Sequence, residues 1–353
     1  MSSGQTGEVP GLLTEGLGPS LLAYAPKPRR TRFLRGVRGF VVRRLLLGVL
    51  TLFVASLIIF AATQALPGDA ARSILGRNAT PESLADLRNQ LGLNEPLVKQ
   101  YTGWIGGVLT GDLGTSLAAG LPVTEVIGDR VEYSAFLMLI AAILSIPLAV
   151  LIGAVSARRR DGPFDYTMSI VTLALAALPE FVVGIAFVVL LSTTVFHVFP
   201  AVAIFEPGVA PWHYLKELVL PALTLVIAVT PYVARIMRAS MVEILESDYV
   251  EMARLKGLSE RLVLWRHAVP NGIAPTFQVI AINLAYLAGG IVVIEVVFNY
   301  PGIGAGFVDA VRSRDMPVVQ ALSLLIAGLY VVLNLLADMA TILVSPRLRT
   351  SLR

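Results

Sequence analysis

The residues able to do chemistry in this 353-residue chain are few, and most of them sit inside apolar runs. Glu180 follows Pro179 about midway along one such run, and Asn283 lies within another. A lone charge at the centre of a membrane-crossing helix costs at least about 2.5 kcal/mol, so Glu180 must be protonated, paired or facing water. Pro179 has no amide hydrogen and opens the helix in front of it, which membrane proteins tolerate where a cavity is lined. The functional reading of Pro179, Glu180 and Asn283 is a translocation path on which Glu180 meets an amino group. The structural reading is a contact with Arg or Asn of a neighbouring helix. Asp338 and Asn334 stand one turn apart on the last apolar run and share a face. They read as a structural tie, Asp338 pairing with Arg235 or Arg238. Glu295 and Pro301-Gly302-Ile303-Gly304 fall at the outer end of the fifth run, where the glycines permit a tight turn. They read as an external gate or a surface that receives a partner protein.

Other chemistry is excluded by composition. The chain has no cysteine, so thiolate catalysis, disulfides and cysteine-bound metal are ruled out. Its histidines, His197, His213 and His267, are scattered over different segments, which disfavours a metal cluster. No Gly-x-x-x-x-Gly-Lys-[Ser/Thr] loop exists to cradle nucleotide phosphates, so the chain is not expected to hydrolyse ATP by itself. With no convergent nucleophile, base or metal set, it reads as no enzyme and as needing no cofactor of its own.

The elements that must position these residues are membrane helices. The chain is 56% hydrophobic and 15% charged, with a mean hydropathy of +0.75, outside the range of soluble domains. A helix needs about 20 mainly apolar residues to cross the hydrocarbon core. Six segments qualify, near 41–65, 134–157, 167–196, 218–238, 276–298 and 319–344. The net charge of +4 lies beside these spans rather than on a water-exposed face, so nucleic acid is not a predicted partner. About 20 of the Lys and Arg residues fall on one side and about 8 on the other, which puts both termini in the cytoplasm. The expected organisation is a disordered basic tail (1–39), a first transmembrane helix (40–66), an extracytoplasmic region with a short helix (67–130), five helices (131–344) and a cytoplasmic tail (345–353). The basic run of the first tail fixes topology or meets anionic membrane lipid. Thr80-Pro81-Glu82 begins the short helix, Leu84, Leu87 and Leu91 share one face, and Gly92 stops it.

The longest internal loop, 239–275, is patterned. Leu245, Tyr249, Met252 and Leu255 recur at helical spacing, with Glu246, Asp248, Glu251, Arg254 and Lys256 on the other face. A short amphipathic helix is predicted, ended by Gly257; a second starts at Ser259, and Pro270 breaks it. A unit this small has little core of its own, so its apolar stripe wants a groove on another protein.

Glu251-Met252-Ala253, Gly257 and Val269-Pro270 resemble the EAA loop of ABC importer permeases, with Met252, His267 and Val269 departing from its pattern. Tyr249 through Pro275 is similar to the dipeptide and oligopeptide (peptide/nickel) permease branch. The resemblance runs over roughly 38–349 and includes Leu66-Pro67-Gly68-Asp69, Gly111-Asp112-Leu113-Gly114, Pro179-Glu180-Phe181, Asp315 with Pro317-Val318, and Pro346-Arg347. It implies an all-α, type I importer permease fold of six transmembrane helices in a bacterial-type cytoplasmic membrane. It also implies a homologous second permease, two ATP-binding subunits that hold ATP and Mg, and an extracytoplasmic substrate-binding protein. Tyr249, Glu251, Met252, Ala253, Gly257, Leu258 and Pro270 would couple to the ATPase, and Asp315 joins the gate or docking group. Peptide is the expected cargo, and the same architecture also serves nickel chelates and haem. A different class, an ion-coupled secondary transporter, would use Glu180 and Asp338 as ion sites. It would also be expected to show two repeated halves, and no repeat is obvious.

Overall fold

The structure is a computed structural model that describes residues 29–65, 75, 80–90, 92–206 and 208–344. The tail 1–28, the Leu66-Pro67-Gly68-Asp69 turn, Leu91, Pro346-Arg347 and the tail 345–353 lie outside the described residues. Among those described, the secondary structure is helical apart from one isolated bridge between Thr115 and Pro122.

Helix α1 (Arg29–Ala65) is followed by two short helices, α2 (Pro81–Gln90) and α3 (Leu97–Thr110). Long α4 (Val123–Arg158) leads to α5 (Pro163–Ala177) and α6 (Glu180–Phe187), the latter extended by a π-helical turn, Val188–Thr193. Then come α7 (Leu215–Leu245), α8 (Asp248–Leu255), α9 (Val269–Val297), α10 (Ile303–Ser313) and α11 (Met316–Val344). Four helices are single apolar rods long enough to cross a membrane: Gly39–Ala65, Val123–Arg158, Leu215–Leu245 and Met316–Ala340. Two further crossings are bent pairs, Pro163–Ala177 with Glu180–Thr193 at 100° and Thr276–Leu284 with Gly289–Val297 at 51°. The described residues therefore contain four to six candidate spans.

Side by side the helices run α4, α7, α9, α11 and α1, with α5 and α6 leaning on α7. Small residues set the closest approach. A Cβ added to Gly153 of α4 would stand 2.7 Å from the Ala234 carbonyl oxygen and 2.7 Å from Met237 Cβ of α7. With no hydrophobic drive between helices in lipid, such close backbone packing supplies the attraction. Leu137, Leu225, Val229, Leu287, Ile291 and Phe298 fill the core between α4, α7 and α9.

Three local expectations change. The first helix begins at Arg29 rather than at residue 40, so the part of the expected disordered tail that is described is helical. The predicted 167–196 span is two helices at 100°, because Leu178 is extended (ψ 132°) and Pro179 can start a helix but not continue one. Pro270 does not break a helix. The turn Glu260–Leu262 runs through a π-helical segment, Val263–Ala268, directly into α9. The wider π register, with the Val269 amide donating to the Leu264 carbonyl, brings Pro270 into the first turn of α9, where an amide hydrogen is not needed. Ser259 makes no side-chain capping bond there.

Candidate functional site

The break between α5 and α6 puts Glu180 at the first position of α6. Tyr286 on α9 donates its hydroxyl to Glu180 Oε2 at 3.2 Å. Gly290, one turn further along α9, leaves the space the carboxylate occupies, since a Cβ there would lie 2.9 Å from Oε1. On the other side of the break, the Tyr232 hydroxyl of α7 donates to the Ala176 carbonyl at 3.2 Å, satisfying an acceptor freed at the end of α5. Glu180 and Tyr286 thus sit in a groove that also includes Tyr232, Leu178 and Phe181. Asn283 is one turn from Tyr286 and is half-buried. Its Nδ2 donates to the Val279 carbonyl of its own helix at 2.8 Å, and it lines a neighbouring groove with Ser169, Thr172 and Arg235.

At the other end of α7 the chain forms an elbow. Gly257 adopts φ +77°, and two backbone bonds close the turn, Gly257 N to Arg254 O at 2.9 Å and Leu258 N to Ala253 O at 3.4 Å. This is the left-handed helix stop that favours glycine. Val250, Ala253 and Val263 form a small buried core with Ile244, Leu245 and Leu258. Arg254 straps it, donating to Glu260 Oε1 at 2.9 Å and to the Leu245 carbonyl at 3.3 Å. The elbow therefore has a core of its own, and the predicted apolar stripe divides: Leu245 turns inward, while Tyr249, Met252 and Leu255 are 44%, 53% and 74% exposed. Glu251 and Pro270 are exposed as well.

Glu295, Gly302, Gly304 and Asp315 are buried, and Pro301 is half-buried. Glu295 accepts the Gly304 amide at 2.6 Å and the Ala305 amide at 3.1 Å, and it accepts the Ser134 hydroxyl. Ser134 Oγ in turn accepts the Ile303 amide at 2.8 Å. Together they satisfy the start of α10, whose amides would otherwise be orphaned and which carries the positive end of the helix dipole. Asp315, just past the other end of α10, accepts the Ser116 hydroxyl at 2.5 Å and the Leu117 and Ala118 amides at 3.0 and 3.2 Å. The side chains expected at a gate or docking surface are thus turned inward, where they fix both ends of α10 and the 116–118 loop. Tyr300 donates its hydroxyl to the Tyr133 carbonyl at 2.7 Å; burial raises its pKa.

The expected partners of Asp338 are not its partners. Asp338 pairs with Arg44 of α1 at 3.0 Å, because α11 packs chiefly on α9 and α1. Arg238 instead holds Asp165 at the start of α5 through two bonds of 2.6 Å. Arg235 is exposed, and Asn334 donates only to the Tyr330 carbonyl of its own helix at 2.9 Å. Sequence reasoning missed Asp165, Ser134, Tyr232 and Tyr286. A polar residue within or beside an apolar run was the signal available for each, without any indication of its distant partner.

Among the described residues, a helical bundle with four to six apolar crossings, one of them broken at Glu180, is that of a multi-pass membrane protein. Residues 145–350 match the binding-protein-dependent transport system inner membrane component model, and residues 37–135 match the N-terminal model of the same system. The chain belongs to the binding-protein-dependent transport system inner membrane components. It is 37% identical over 311 residues to a probable peptide ABC transporter permease, y4tP, of Sinorhizobium fredii, spanning 88% of this chain and 99% of that one. It is 35% identical over 312 residues to the glutathione transport system permease GsiC of Pectobacterium atrosepticum, again spanning 88% and 99%. It is 32% identical over 331 residues to the dipeptide transport system permease DppB of Alkalihalophilus pseudofirmus, with the same coverage.

Proposed function

We propose that this chain is the permease subunit of an ATP-driven importer that carries dipeptides and oligopeptides delivered by an extracytoplasmic binding protein. It works beside a homologous second permease and above two ATP-binding subunits, in a bacterial cytoplasmic membrane. Six spans follow if each bent pair is one crossing, and the lysine and arginine bias supports cytoplasmic termini. The observation that carries the reading is the elbow. It holds its own shape through Val250, Ala253 and Val263, yet turns Tyr249, Met252 and Leu255 to the outside. An ordered helix with unburied apolar side chains fits a groove on a partner, and family membership supports an ATP-binding subunit as that partner. Pro179, Glu180 and Asn283 line the path, and nucleotide closure biases the inward-open and outward-open packings through the elbow.

The test is uptake of labelled peptide into vesicles that contain the purified complex. Uptake that requires ATP and ignores an imposed proton gradient supports the importer. Uptake that follows the gradient without ATP overturns it in favour of an ion-coupled carrier.

A further inference from the structure

Two charged side chains on one face of the bundle have no opposite charge paired with them among the described residues. The Glu180 carboxylate receives only the Tyr286 hydroxyl. Arg235 makes no ion pair, whereas its neighbour Arg238 is neutralised by Asp165. Unmet charges at membrane depth are costly, and they mark transport paths.

The two charges are joined by continuous stripes. On α7, Ala228, Tyr232 and Arg235 follow at i, i+4 and i+7; on α9, Gly290, Tyr286 and Asn283 follow at the same helical spacing. Tyr232 lines both the groove that contains Glu180 and the groove that contains Arg235 and Asn283. Glu180 abuts Gly290, and Asn283 stands seven residues earlier across the 51° bend of α9, so the two levels are separated by at most roughly 10 Å. An extended chain spans at most about 3.5 Å per residue, so this separation suits about three residues. The two ends also differ in kind. Ser169 and Asn283, which has a second amide hydrogen beyond the one given to Val279, line the groove with Arg235, as suits a carboxylate. Tyrosine rings flank Glu180, as a cation prefers.

We propose that this face reads both ends of a short unblocked peptide, Glu180 taking the N-terminal ammonium and Arg235, with Asn283, the C-terminal carboxylate. The assignment rests on the peptide-import reading above and adds to it the groups that are recognised and the direction in which the peptide lies.

The test uses the complete transporter in proteoliposomes with its binding protein unchanged, comparing a free tripeptide with its N-acetylated and C-amidated forms. Glu180→Gln is expected to lower uptake of the free peptide roughly tenfold relative to the N-acetylated one, the loss of one charge-assisted contact. Arg235→Gln is expected to do the same relative to the C-amidated form. Because the binding protein is the same throughout, its own selectivity cancels in these ratios. Equal losses on all three peptides, or no loss, would assign Glu180 to helix packing and Arg235 to topology or lipid headgroups, and would overturn the proposal. If the blocked peptides are never delivered, free peptides with a diazirine at either end decide it. An N-terminal probe should label 176–181 and 286, and a C-terminal probe 232–239 and 279–283; reversed or uniform labelling overturns the assignment. A wild-type complex that imports no peptide at all would instead refute the peptide-import reading.

Discussion

Arg238 donates from Nε and Nη2 to the two carboxylate oxygens of Asp165, each at 2.6 Å, and so ties the start of α5 to α7 across 73 residues of sequence. Asp165 is 3% exposed at its side chain, and it also accepts the Asp161 amide at 3.1 Å. Removing one partner leaves the other with an uncompensated charge in an apolar setting, which costs more than the pair gains by existing. Asp165→Ala is therefore expected to destabilise the protein by about 3 kcal/mol. The Asp165→Asn, Arg238→Gln double variant should recover part of that loss. Detergent-titrated unfolding of the single and double variants measures both, and additive losses would show that the two residues are not coupled.

The close approach of α4 and α7 at Gly153 makes a second prediction. A methyl group there meets the Ala234 carbonyl and Met237 Cβ at 2.7 Å, so Gly153→Ala should cost about 1–3 kcal/mol through backbone displacement. Gly328 on α11 has nothing within 4 Å of its added Cβ. Gly328→Ala should be neutral or stabilising by up to about 1 kcal/mol, because alanine is the better helix former. Thermal unfolding of the two variants side by side checks the contrast.

The elbow separates stability from partner binding. Met252→Asp and Leu255→Asp alter exposed side chains and should leave the unfolding midpoint within about 0.5 kcal/mol of the parent, while abolishing co-purification of the ATP-binding subunits. Val250→Asp places a carboxylate in a buried site beside Ala253 and Val263 and should unfold the elbow itself. Limited proteolysis between 246 and 262 distinguishes these outcomes.

Gly257 is held at φ +77°, and its amide donates to the Arg254 carbonyl at 2.9 Å. Proline fixes φ near −65° and has no amide hydrogen. Gly257→Pro is expected to insert in the membrane normally yet to separate ATP turnover from peptide uptake, whereas Gly257→Ala should cost only about 1–2 kcal/mol locally. Uptake and ATP hydrolysis measured on the same vesicles give the coupling ratio, and an unchanged ratio would remove the elbow from the mechanism.

Much of this architecture is legible in one dimension. Apolar runs of sufficient length stand out because lipid admits little else, and the Gly257 stop and the Thr80 helix start depend only on neighbouring residues. Thr80 Oγ1 accepts the Ser83 amide at 3.2 Å, and Ser83 Oγ accepts the Thr80 amide at 2.9 Å. What resists reading is which helix meets which. In lipid, the side of a helix facing hydrocarbon and the side facing another helix are made of the same side chains, so periodicity alone assigns no neighbour. Asp338 therefore invites a partner on α7 and finds Arg44 on α1. Likewise Glu295 suggests a gate and serves as a buried cap for α10 with Ser134, 161 residues away. Val250 shows the complementary limit. It lies beside the stripe Tyr249, Met252 and Leu255, and only the fold tells which of the two faces is inside.

The absence of any break at Pro270 has a mechanical meaning. Because the chain winds from Glu260 through the π-helical turn into α9, the elbow and the Glu180 groove are joined by one run of helical backbone. That run bends by 51° between Leu284 and Gly289. Tyr286, which donates to Glu180, stands at that bend, so the elbow and the carboxylate lie along the same helix, one before its bend and the other against it.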